Sequence, residues 1–116
     1  MTQTTRIWHN PRCSKSRQTL ALLEEQGVTP QVYEYLKQAP SEAELRQILE
    51  MLGLAPRQLM RTKEAEYKEQ NLADAGDDAL IAAMLSTPKL IERPIVVHGN
   101  RAAIGRPPEQ VLEILK

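Results

Sequence analysis

The strongest constraint on the fold is the order of three elements near the N-terminus: a short strand, a helix and a second strand. Arg6-Ile7-Trp8-His9 reads as a strand, with Ile7 and His9 on one face and Trp8 on the other. The loop Asn10-Pro11-Arg12 follows. The spacing then predicts a helix that opens near Cys13 or Ser14 and runs through Leu20 and Leu23 to Gln26. Gly27 stands where a left-handed cap would stop it. Gln31-Val32-Tyr33-Glu34-Tyr35 is rich in strand formers and predicts the second strand. Two strands joined through a helix favour a parallel pair with a right-handed crossover.

The middle of the chain changes period. Ser41 and Glu44 make an S-x-x-E capping box, and Leu45, Ile48, Leu49 and Leu52 fall on one helix face. Gly53 and Pro56 end that helix, a short helix is predicted from Pro56 to Met60, and the polar segment from Lys63 to Asn71 is compatible with another. Asp77-Asp78 place carboxylates at a further helix start, ahead of Leu80, Ile81, Met84 and Leu85, with Pro88 just beyond. Strand period then returns. Ile95-Val96-Val97, the turn Gly99-Asn100 and Ala102-Ala103-Ile104 predict a hairpin, and Pro107-Pro108 open a last helix carrying Val111, Leu112 and Leu115. The expected fold is α/β: a mixed sheet in the order βαβ … ββα, with a helical block inserted at about residues 41–92 of a single domain spanning residues 1–116.

At 116 residues, the chain has room for one real core but not two. With no Phe, that core must come from Leu, Ile, Val, Met and Ala. Acids and bases balance at 15 each, which argues against a general binder of nucleic acid or anionic membrane. No apolar run reaches the length of a spanning helix, and Met1-Thr2-Gln3-Thr4-Thr5-Arg6 lacks a signal-peptide core. The reducing cytoplasm is therefore the expected compartment. One Cys and two separated His form neither a disulfide nor a metal cluster, and no Gly-rich phosphate loop is present.

Cys13 lies between a strand and a helix start, where backbone N–H groups lack partners within the helix and the dipole favours negative charge. Arg12, Lys15 and Arg17 add nearby positive charge, and such surroundings lower a thiol pKa from about 8.5. A lone Cys can instead be a small buried hydrophobe, but the polar run Arg12-Cys13-Ser14-Lys15-Ser16 speaks for a reactive thiolate. Arg61, Arg93 and Arg106 sit at element ends, where a scaffold presents binding groups, and guanidinium forks match tetrahedral oxyanions. Taken singly, each reads as a solvated surface charge, and spacing does not show whether they converge on Cys13. His9 can hydrogen-bond the thiolate, position the loop, or be a satisfied structural histidine; His98, beside the hairpin turn, is read as structural.

The run His9-Asn10-Pro11-Arg12-Cys13-Ser14-Lys15-Ser16-Arg17 resembles the H-N-P-x-C-x-x-S-R active-site run of the glutaredoxin-coupled arsenate reductases, the ArsC family. Glu92-Arg93-Pro94-Ile95-Val96-Val97 and Gly105-Arg106-Pro107-Pro108-Glu109 are similar to that family's second and third motifs, and Leu59-Met60-Arg61-Thr62-Lys63 to its segment with a further anion-binding Arg. The resemblance covers almost the whole chain and implies a thioredoxin-like core with an inserted helical block. It implies Cys13 as nucleophile, Arg61, Arg93 and Arg106 as holders of the oxyanion, and His9, Asn10, Ser16 and Arg17 as residues that tune and position the Cys loop. It also implies a cis peptide at Arg93-Pro94 facing the site. Arsenate or a similar oxyanion would be the substrate, glutathione the co-substrate with no tightly bound cofactor, and glutaredoxin the partner.

Two features depart from the pattern. Ser14-Lys15 stands where the familiar enzymes usually have Gly-Thr, and the chain stops at Lys116, where they carry a further C-terminal segment. Two other functions stay open at this level. One is a glutathione-dependent reductase of small or mixed disulfides. The other is a regulator that binds RNA polymerase, although such regulators sense oxidation through C-x-x-C and position 16 here is Ser.

Overall fold

The computed structural model describes residues 4–115; Met1–Gln3 and Lys116, the outermost residues of the expected domain, lie outside the described residues. The chain forms two compact units, one made of Met1–Tyr35 with Arg93–Lys116, the other of Leu36–Glu92.

The first unit is the sheet. β1 (Thr5–Trp8), β2 (Gln31–Tyr33), β3 (Ile95–His98) and β4 (Arg101–Ile104) lie in the order β2-β1-β3-β4. β1 and β2 are parallel, joined through α1 (Ser14–Glu25), whereas β1–β3 and β3–β4 are antiparallel. The expected βαβ … ββα mixed sheet is thus the observed one. Helix α1 ends as its sequence dictates, with Gly27 at φ +77°, a conformation open to glycine at little cost.

Ile7, Leu23 and Val96 pack with Val111 and Ile114 into a buried cluster that joins β1, α1, β3 and the C-terminal segment. Burying such a side chain stabilises the fold by about 1.5–3 kcal/mol. Trp8, on the opposite face of β1 from Ile7, meets Tyr33 edge-on at 5.4 Å between centroids and Tyr35 at 6.2 Å.

Two expectations need correction here. β2 ends at Tyr33 rather than Tyr35, because the Tyr35 ring is buried beside Trp8 instead of continuing the ladder. The final segment, Pro108–Leu115, is a 3₁₀ helix, so its buried face repeats every three residues: Pro108, Val111 and Ile114. Ile114, not Leu112, therefore joins Val111 in the core.

The second unit is helical. α2 (Glu42–Leu52) is capped by Ser41, whose hydroxyl accepts from the Glu44 N–H at 3.1 Å, and it closes on Gly53 at φ +67°. A 3₁₀ turn at Pro56–Leu59, α3 (Ala65–Glu69) and α4 (Asp77–Ser86) complete the expected pieces. Further 3₁₀ turns at Leu72–Asp74 and Pro88–Leu90 were not foreshadowed by any periodicity. α3 is shorter than the Lys63–Asn71 stretch because Asn71 is left-handed, at φ +56°. Arg57 organises the next stretch, donating to the carbonyls of Leu72 and Ala75 at 2.9 Å each and to the Tyr67 hydroxyl. Among the described residues, no helix is long and apolar enough to cross a membrane.

Candidate active site

Cys13 is the N-cap of α1, in extended backbone at φ −95° and ψ 123°. Its loop is tied down by short-range bonds. The Cys13 N–H donates to the Asn10 carbonyl at 2.9 Å, the Arg12 N–H to the Asn10 side-chain oxygen at 3.0 Å, and the Arg17 guanidinium to the Pro11 carbonyl at 3.0 Å. Ser16, fully buried, holds the loop from inside: its hydroxyl lies 2.6 Å from His9 Nδ1 and accepts from the Asn10 N–H at 3.0 Å. His9 is buried at the end of β1, and its own N–H donates to the Tyr33 carbonyl at 2.8 Å. Of the roles open to His9, loop positioning through Ser16 is the one this geometry supports. Burial, opposed by Glu34 and aided by Arg17, holds its imidazole below the usual range. His98 pairs with Thr5, Nδ1 to Oγ1 at 2.6 Å, as expected of a structural histidine.

Arg93 and Arg106 flank the open end of the β3–β4 hairpin, opposite its turn, Arg93 just before β3 and Arg106 just after β4. The Arg106 guanidinium reaches Cys13 Sγ with Nη2 at 3.7 Å while its Nε donates to the Arg93 carbonyl at 2.7 Å. Both Arg93–Pro94 and Arg106–Pro107 are cis peptides; the first was expected, the second was not. Arg61 belongs to the second unit, where its guanidinium pairs with the Glu64 carboxylate and donates to the Lys89 carbonyl at 3.3 Å.

The sulfur is half-buried, and burial pushes its pKa up. The Ser16 and Lys15 backbone N–H groups and the Arg93 and Arg106 charges together outweigh that, so the thiol is held below its usual range. The largest charge contributions thus come from arginines some 80 and 93 positions away, not from Arg12, Lys15 and Arg17 beside the thiol. Motif reasoning also passes over Thr19. This fully buried hydroxyl donates to the Lys15 carbonyl at 2.8 Å, and the available signal was the spacing of Ser16, Thr19 and Leu23 on one face of α1. A half-buried thiolate at a helix start, facing two guanidinium groups, is equipped to attack an electrophilic centre that carries negative oxygens.

The model of the ArsC family matches residues 8–114, from the end of β1 into the last 3₁₀ helix. The chain belongs to the ArsC family. Its mixed sheet is the thioredoxin-like core of that family, shared with an arsenate reductase from Vibrio cholerae at a TM-score of 0.94 and 57% identity, over 98% of this chain and 99% of that one. Among curated sequences, this ArsC-family chain is 52% identical to an arsenate reductase of Haemophilus influenzae, covering 94% of this chain and 97% of that one. It is 58% identical to the Escherichia coli protein YfgD, titled uncharacterized, over 99% of each.

Proposed function

We propose that this ArsC-family chain reduces arsenate to arsenite, with Cys13 as nucleophile and glutathione and glutaredoxin as the source of electrons. The Cys13 thiolate attacks arsenic(V); a protonated oxygen leaves as water and an S–As bond forms with no change of oxidation state. The Arg93 and Arg106 charges hold the remaining oxygens. Arg61 is proposed as a further oxyanion-binding residue on the likeness of its segment to the family's. Reduction needs two electrons, and a chain with one Cys has no second thiol to supply them. A glutathione thiolate therefore attacks the Cys13 sulfur, the S–As pair stays on arsenic as arsenite leaves, and a mixed disulfide remains. A glutaredoxin thiolate then takes the glutathione and releases Cys13. Such chemistry suits the reducing cytoplasm, the compartment we propose.

The observation that carries this proposal is the Arg106 guanidinium 3.7 Å from a thiol whose pKa is depressed. The relatives titled arsenate reductase support it. The test is a coupled assay with arsenate, glutathione and glutaredoxin. We expect arsenate-dependent oxidation of glutathione that Cys13→Ser abolishes. Retained turnover in that variant removes Cys13 from its role, and turnover of a small disulfide but not of arsenate makes the chain a thiol–disulfide reductase.

A further inference from the structure

Gly105 is buried between α1 and the Arg93–Pro94 peptide, immediately before Arg106. A Cβ built on it falls inside contact distance of the Thr19 hydroxyl, 3.1 Å from Thr19 Cγ2 and 2.9 Å from Pro94 Cγ. These are close approaches to buried atoms, not to the free end of a flexible side chain, so any residue larger than glycine must displace something. The Gly105 N–H donates to the Pro94 carbonyl at 3.0 Å, which fixes this strand end against the peptide whose other member is Arg93. On the helix side, the Thr19 hydroxyl is bonded at 2.8 Å to the carbonyl of Lys15. Lys15 and Ser16 are the residues whose N–H groups favour the ionised sulfur. The Gly105–Thr19 contact therefore joins the turn that carries the thiol to the residue next to its guanidinium.

We propose that Gly105 and Thr19 are positioning residues, whose close contact sets the distance from the Arg106 guanidinium to Cys13 Sγ. Neither touches the sulfur; both act through Arg106. This deepens the reading of Cys13 as a nucleophile and rests on it, but the proposal is tested without arsenate.

The readout is the rate of Cys13 alkylation by iodoacetamide at neutral pH, with its pH profile, since the thiolate is the reacting species. Gly105→Ala should lower that rate about threefold or more and move the profile to higher pH, as the loss of a nearby cation does. Thr19→Val, which replaces the hydroxyl by a slightly larger methyl against Gly105, is a gentler change in the same direction and serves if Gly105→Ala does not fold. Adding Thr19→Ala to Gly105→Ala clears two of the three closest approaches and should restore part of the rate.

The decisive comparison is made in an Arg106→Ala background. There Gly105→Ala, which leaves the Thr19 hydroxyl in place, should lower the rate no further, although any loss of melting temperature persists. Unchanged alkylation in the single variants overturns the proposal. So does a loss that multiplies with that of Arg106→Ala, because the contact would then act on the fold and not through the guanidinium. Failure of the arsenate assay with these alkylation results intact would sink only the substrate.

Discussion

Ionisation of Cys13 is a contest between one unfavourable influence, burial, and four favourable ones: two backbone N–H groups and two guanidinium charges. Removing one arginine should tip it partway. Arg106→Ala is expected to slow alkylation of Cys13 at neutral pH and move the profile upward; an unmoved profile would take Arg106 out of the balance. The same shift links to stability. Because the folded pKa lies below the unfolded one, the unfolded chain holds more thiol protons between them, and stability rises with pH across that window. The thiolate's contribution is complete above the unfolded value of about 8.5 and is lost as pH falls through the folded value. Urea unfolding should therefore show Cys13→Ser losing more stability relative to the parent at about pH 10 than at about pH 5. Equal differences at both would contradict the depressed pKa.

Elements with their own punctuation were legible from sequence. α1 ends before Gly27, and α2 begins after Ser41 and ends before Gly53, as those residues indicate, because caps act over one turn and need no distant partner. Ser41→Ala should accordingly cost about 1 kcal/mol, read by urea denaturation. Elements defined by tertiary contacts were not legible. The 3₁₀ turn at Leu72–Asp74 forms where the Arg57 guanidinium gathers two carbonyls, and nothing near residue 72 announces an arginine fifteen positions earlier. Arg57→Ala should destabilise the protein by about 1–3 kcal/mol by leaving those carbonyls without their donor. Hydrogen exchange should find the faster amides in residues 65–75, and uniform acceleration elsewhere would contradict a local role. β2 was overestimated for a related reason, since Tyr35 has strand propensity but its ring is buried beside Trp8.

For the molecule as a whole, the sheet unit draws on both ends of the chain, and the residues closest to the sulfur come from both. The Cys13–Arg106 contact spans 93 positions, and no local pattern carries that information. The motifs pointed to Arg93 and Arg106, but their approach to Cys13 depends on the antiparallel pairing of β1 with β3. An oxyanion bound there should stabilise the folded chain by mass action. Arsenate at about a hundred times its dissociation constant adds roughly 2.7 kcal/mol, so a melting-temperature rise that Arg106→Ala diminishes is expected, and an equal rise in both would place the anion elsewhere. That a single Cys13 thiolate takes arsenic and then glutathione can be tested by intact-mass analysis of the protein after arsenate and glutathione without glutaredoxin. A glutathione mixed disulfide on Cys13 should form only when arsenate is present; its absence, or equal formation without arsenate, would rule this sequence of steps out.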